Sequence, residues 1–469
     1  MINARQTPII IIFIFIFVIN ACGSQAYSKG ETLYGEYCET CHNVKIEGGM
    51  AQSLMDGIWQ FGSEQGYIFR NIKFGITQRG MPGFGDVLSD EEINAIIAYI
   101  NQKAKNITQT VVLHDTIIQT LDYHIRIETI VDNLEIPWAI DFTDNQTILV
   151  TEKPGRLRLI KNGVLQPEPV EGIPEVLNEG QGGLMDVTVD PQYSENGWIY
   201  LAYSHALPGN DRPVAMTRII RGRINNNKWV DQQVLFEGDH TFYQTTRHHY
   251  GCRIVFDKKG YLYFSVGERG FGQLAQDLSR PNGKIHRIFP DGSIPKDNPF
   301  YNQPGALKTV YTYGDRNPQG MAVHPETDKV WITEHGPMGG DELNLVGAGN
   351  NYGWPVVTYG INYDGRIISE LTKKEGMTLP VFYWRPSIAV CGIDFYRGDL
   401  FKRWQNDLIL GALKYEEVRI LDIEEDRVLH EEIILKNWGR VRDVACGPDG
   451  AIYVVLNKPG KVLRMTPVE

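Results

Sequence analysis

The chain has 469 residues, 42% of them hydrophobic and 22% charged, which is an ordinary globular composition with room for more than one core. Its formal net charge of -11 excludes the basic surface on which nucleic-acid binding depends. The N-terminus, Met-Ile-Asn-Ala-Arg, carries one positive charge and leads into an apolar run from Ile9 to Ile19 that is too short to span a bilayer. This pattern predicts a signal peptide over residues 1–21, with Cys22 as the lipidated first residue of a membrane-anchored lipoprotein. Cleavage after Ser24-Gln25-Ala26 is the alternative, and either route exports the mature chain to the periplasmic side.

Cys38-Glu39-Thr40-Cys41-His42 has the spacing of a c-type haem attachment site. Two thiols can bond the porphyrin vinyl groups, and the imidazole that follows can ligate the iron. Downstream, Arg79-Gly80-Met81-Pro82-Gly83 places a thioether in a Gly/Pro-rich loop, where Met81 can reach the opposite face of the haem; Met50 and Met55 compete for that role. Ser89-Asp90-Glu91-Glu92 forms a capping box, after which Ile93, Ile96, Ile97 and Ile100 recur on one helical face. Residues 28–104 thus resemble a small all-α class I cytochrome c. That resemblance implies a covalent haem c on Cys38 and Cys41, with His42 and Met81 as axial ligands. Cys252, Cys391 and Cys446 stand singly on apolar segments and read as buried small hydrophobes.

Residues 105–125 are polar and β-branched without a helical period, as expected of a linker. From 126 to 469 a strand, turn and strand recur at Ile140–Leu149, Val187–Leu201, Ile254–Phe264, Ala322–Ile332, Ile393–Leu410 and Val444–Val455. Several are followed by a further strand with an internal arginine: Arg158, Arg218, Arg287, Arg419 and Arg464. Repeated all-β units that bury their faces only against neighbours predict an all-β six-bladed propeller, which Ile125–Val131 could close by completing the last blade. An array of β-sandwiches is the competing architecture.

Polar or conformationally special segments precede the repeated strands: Gln181-Gly182-Gly183, Arg247-His248-His249-Tyr250-Gly251, Asp315-Arg316-Asn317-Pro318, Glu334-His335-Gly336-Pro337, Lys414 and Arg440-Val441-Arg442. In this order they resemble the PQQ-dependent soluble aldose sugar dehydrogenases, relatives of soluble glucose dehydrogenase, from about Leu134 to Met465. The resemblance implies that Gln181, Arg316, Asn317, Lys414, Arg440 and Arg442 contact PQQ and that His249 is the general base. It also implies that the Gly336 and Pro337 carbonyls hold an active-site calcium, and that Glu342 and Tyr352 belong to a second, structural calcium site.

The chemistry wants these residue types. PQQ is a tricarboxylate, which suits Lys and Arg donors, and Arg440 and Arg442 are spaced to share a strand face. Calcium takes hard oxygen donors, and Arg316 can stabilise a developing oxyanion. His248, Glu268 and Ala389-Val390-Cys391 depart from the family pattern near the substrate. The resulting expectation is oxidation of an aldose to its lactone, with electrons passing from PQQ to the haem and then to a downstream acceptor. A calcium-dependent lactonase and a non-catalytic sugar- or partner-binding propeller with a cytochrome relay are the alternatives.

Overall fold

The computed structural model describes residues 27–42, 51, 54, 65–76, 81–107 and 117–468. The signal-peptide segment, Cys22, Met50 and Met55 lie outside the described residues. The chain divides into two compact units, one ending at His114 and one starting at Asp115. Among the described residues no helix is long and apolar enough to cross a membrane.

In the first unit, helix α1 (27–37) is followed by α2 (Glu39–His42), α3 (Gln65–Phe74) and α4 (Asp90–Ile107). The capping box closes as expected: Ser89 N donates to Glu92 Oε2 at 3.0 Å, and Glu92 N donates to Ser89 Oγ at 3.3 Å. Ile93, Ile96, Ile97 and Ile100 are all buried on Tyr34, Ile68 and Ile72. Gly30 lets α1 approach α4 backbone to backbone, because a Cβ there would lie 2.1 Å from the Ala95 carbonyl oxygen.

The second unit is a six-bladed propeller of antiparallel sheets. The first five blades run from β3 (Pro137–Asp144) to β6 (Val164–Leu165), β7 (Leu184–Val189) to β10 (Lys228–Glu237), β11 (Ile254–Phe256) to β14 (Val310–Tyr313), β15 (Pro318–Val323) to β18 (Phe382–Trp384), and β19 (Val390–Phe395) to β22 (Arg427–Lys436). The sixth joins β23 (Arg440–Cys446), β24 (Ile452–Lys458) and β25 (Lys461–Pro467) to β2 (His124–Val131) from the front of the unit. Ile127 pairs with Met465, so the ring is closed by main-chain hydrogen bonds between distant parts of the chain. Within the stretch read as a linker, α4 continues to Ile107, and β1 (Ile117–Gln119) pairs with β2. The turn between them is held by remote groups: Leu121 N donates to Glu432 at 2.8 Å, and Tyr123 packs edge-on against Phe401 and Trp404.

The repeated strands are the two inner strands of each blade, buried on both faces because each blade is packed between two others. Side chains on second strands stitch neighbouring blades together. Thr151 Oγ1 donates to the Met185 carbonyl at 2.6 Å, and Thr333 Oγ1 donates to the Cys391 carbonyl at 2.7 Å. The five third-strand arginines each meet a carboxylate: Arg158 with Glu152, Arg218 with Glu237, Arg287 with Asp297, Arg419 with Glu417, and Arg464 with Asp449. Cys252, Cys391 and Cys446 are buried and free of disulfides.

Candidate functional site

In the helical unit, Cys38 directly follows α1 and α2 carries Cys41 and His42. Cys38 and Met81 pack on the same apolar cluster, with Phe84 and Tyr37. Met81 is placed by a two-residue bridge, since Ile76 N donates to the Met81 carbonyl at 2.9 Å and Met81 N donates to the Ile76 carbonyl at 3.2 Å. Two thiols free of disulfides and an imidazole at the α1–α2 junction, with Cys38 on the same apolar cluster as the Met81 thioether, fit a covalent haem.

In the propeller, the polar segments collect at the starts of the inner strands, at one end of the axial channel. A cavity of about 560 Å³ opens at the other end, lined by Asp141, Asp394, Arg397 and the far halves of the same strands. None of the predicted site residues lines it.

His249 stands at φ +56°, a left-handed conformation that is costly for a side-chain-bearing residue and is held from three sides. Its backbone N–H donates to Gln181 Oε1 at 2.8 Å, and its ring Nδ1 is paired with the Glu268 carboxylate. Gly267 permits the third contact, because a Cβ there would fall 2.3 Å from the His249 carbonyl oxygen. With Nδ1–H given to Glu268, Nε2 carries the free lone pair. Burial first, then the charges of Arg316, His248 and Arg269, hold the His249 imidazole well below its ordinary pKa, so it is a neutral base at pH 7.

Arg316 Nη1 donates to the carbonyls of His335 and Gly336, each at 2.9 Å. Asn317 Oδ1 accepts from Gly251 N at 3.1 Å, while its buried Nδ2 has no partner. Arg442 Nη1 donates to Gln319 Oε1 at 2.8 Å, and its buried Nε is also unpartnered. Burial pushes the Arg442 guanidinium down to about 9, with further contributions from Arg440 and Arg253, and burial lowers Arg440 as well. The β23–β24 pairing slips on either side of Val441, so the simple alternation expected to put Arg440 and Arg442 on one face is interrupted there. Lys414 is exposed after β20 (Leu408–Ala412), over the Tyr415 ring at 4.9 Å. Unmet donors on Asn317 and Arg442, beside cations that burial disfavours, fit a polyanion such as PQQ.

The Gly336 carbonyl receives Arg316, and the Pro337 carbonyl receives Ser387 Oγ at 2.8 Å, which leaves a second lone pair on each. Both residues line a cavity of about 10 Å³ with Glu334, Glu342 and Tyr352. Asp315 and Glu334 are buried and Glu342 is half-buried, and both Asp315 carboxylate oxygens lack partners. Burial and mutual repulsion raise Asp315 and Glu342 well above the usual carboxylate range; burial raises Glu334 to about 7. Among the described residues, no three His, Cys, Asp or Glu side chains converge as a ready metal cage. A cation here therefore needs the backbone oxygens as well, and this hard, oxygen-rich, anionic donor set fits calcium.

In the sequence Glu268 stands out only as a departure from the family pattern, and nothing there pairs it with His249. No sequence signal marks Lys153, which burial and Arg442 push below its ordinary range, and the segment that contains His335 gives that residue no role, although its buried Nε2 lacks a partner. A carboxylate two residues after the apolar strand β12 (Leu262–Val266) is the available signal for Glu268.

Residues 134–464 match the glucose/sorbosone dehydrogenase family, and residues 25–100 match the family described as cytochrome C oxidase, cbb3-type, subunit III. The chain is similar to the aldose sugar dehydrogenase YliI of Escherichia coli, with 41% identity over 350 residues, covering 73% of this chain and 93% of that protein. It is 32% identical over 417 residues to quinoprotein glucose dehydrogenase B of Acinetobacter calcoaceticus, covering 72% of this chain and 86% of the relative. The crystal structure of the soluble Escherichia coli aldose sugar dehydrogenase in its apo form superposes with a TM-score of 0.68 at 37% identity, covering 73% of this chain and all (100%) of that one.

Proposed function

Because the chain belongs to the glucose/sorbosone dehydrogenase family, we propose that it oxidises an aldose at the anomeric carbon to the lactone, using PQQ and calcium. The electrons then pass through a haem c held by Cys38 and Cys41 to a downstream acceptor, in an exported protein anchored by lipid at Cys22. The observation that supports this reading best is the neutral His249, oriented by Glu268 and set beside the Arg316 guanidinium.

Lys414, Arg440 and Arg442 would hold the PQQ carboxylates, with Gln181 and Asn317 as polar contacts, and the Gly336 and Pro337 carbonyls would hold calcium. When bound, PQQ supplies a two-electron hydride acceptor polarised by calcium, and haem c supplies a one-electron acceptor. The chain's own part is proton chemistry and positioning. His249 Nε2 takes the proton of the anomeric hydroxyl, while Glu268 fixes the tautomer and stabilises the imidazolium that forms. Arg316 sits beside the Gly336 carbonyl, where it can stabilise negative charge developing on oxygen. Glu342 and Tyr352 would serve the structural cation site, whose carboxylates are held in a repulsive cluster without it.

Removal of calcium tests this assignment. Chelation is expected to abolish PQQ binding and aldose oxidation, and calcium to restore both, while the haem absorbance spectrum stays unchanged because that group is covalent and belongs to the other unit. Undiminished aldose oxidation by chelated enzyme would show that the Gly336-Pro337 assignment is wrong.

A further inference from the structure

One buried cation near His249 has no part in the mechanism above. Arg269 is wholly buried, and its guanidinium lies 3.4 Å over the Tyr250 ring. Its foremost electrostatic neighbours are Tyr250, Cys252 and Arg247, none of them a carboxylate, and burial pushes it below the usual arginine range. Such a group is costly to keep unless its position does something.

The two arms of the guanidinium fork donate to main-chain carbonyls of one segment: Nη1 to His248, and Nη2 to Thr246 at 2.6 Å. Thr246 Oγ1 returns the contact by donating to the Arg269 carbonyl at 2.7 Å. Residues 246–248 lead directly into His249, and Arg269 directly follows Glu268. Both segments are in left-handed conformations, with φ +56° at His249 and φ +63° at Arg269. Two strained turns that must present an imidazole to a carboxylate need an external tie, and the planar fork supplies one that a lysine ammonium cannot.

We infer that Arg269 is a positioning residue for the candidate base, tying the carbonyls of the His249 segment to the Glu268 turn while adding an uncountered positive charge beside the imidazole. The inference rests on the reading of His249 as the base. The other groups facing His249 are Glu268 from the 268–270 turn, Arg316 from the segment before β15, His335 from the segment after β16 (Val330–Glu334), and His248 from its own segment.

The test uses the full haem-bearing chain with the variants Arg269→Gln, Arg269→Lys, Thr246→Val and His249→Gln. The pH profile of kcat/KM is measured in loaded enzyme with an artificial electron acceptor, and histidine ring nitrogen shifts are titrated by NMR without added PQQ. Arg269→Gln should move the acid limb, and the His249 titration with it, to higher pH by about one unit, because a neighbouring cation is lost. Arg269→Lys should leave the limb near its original pH and lower kcat, and Thr246→Val should lower kcat without moving the limb. An unmoved limb and titration in Arg269→Gln would overturn the inference, as would equal limb shifts in the Gln and Lys variants. If Arg269→Gln does not fold, a Thr246→Val enzyme with unchanged kcat overturns it. Near-normal turnover in His249→Gln would instead sink the underlying reading of the base.

Discussion

His249→Gln lowers kcat by about 10²–10⁴-fold, the usual worth of a positioned general base, and leaves KM and PQQ affinity close to their original values. Glutamine can keep a hydrogen bond to Glu268 and does not disturb Lys414, Arg440 or Arg442, so binding should survive. It cannot accept a proton. The same geometry sets the pH dependence of the unaltered enzyme. Burial and nearby cations keep the His249 imidazole well below its ordinary pKa, so activity is retained through neutral pH and lost only on the acid side, when Nε2 becomes protonated. Steady-state kinetics with an artificial acceptor measure both effects. A kcat within a factor of a few of the original would remove His249 from the role of base.

Arg253→Met destabilises the propeller by about 3–5 kcal/mol, the cost of removing one partner from a buried ionic network. Arg253 is buried just before β11 and reaches most of the ring. It pairs with Asp186 of β7 at 3.0 Å and Asp443 of β23 at 2.9 Å, and Nε donates to the Gln319 carbonyl of β15 at 2.7 Å. Its guanidinium lies 4.4 Å from the Trp138 ring of β3, on which Arg442 also packs at 4.9 Å. Truncation leaves two buried carboxylates facing each other without their cation, and burial already raises both. Because that repulsion accounts for much of the loss, adding Asp186→Asn and Asp443→Asn to Arg253→Met should recover part of it. Denaturant unfolding followed on the propeller measures both variants, and a loss below about 1 kcal/mol would contradict the network's importance.

The parts of this architecture that were legible in the sequence are those with a local signature. Cys38-Glu39-Thr40-Cys41-His42, the capping box before Ile93 and the six inner strand pairs each announce themselves within a few residues, and Ile125–Val131 pairs with β25 as expected. Networks between blades leave no such trace. Asp186, Arg253, Gln319 and Asp443 are far apart in sequence and meet only because the ring closes. The His249–Glu268 pair spans one strand turn, and its carboxylate looked like a simple departure from a family pattern until the fold placed it on Nδ1. Strand β1 was hidden for a similar reason, since Ile117 and Ile118 are short and isolated until β2 pairs with them.

Sugar oxidation in the propeller is expected to deliver electrons to the haem on the same chain. Full-length enzyme loaded with PQQ and calcium is mixed with an aldose without oxygen, and the haem absorbance is followed over a range of protein concentrations. Haem reduction is expected at a rate independent of protein concentration, slowed by about 10²–10⁴-fold in His249→Gln and slowed in Met81→Ala, whose haem potential falls when the thioether is lost. Reduction that scales with protein concentration, or an oxidised haem while an artificial acceptor still supports aldose oxidation, would contradict it.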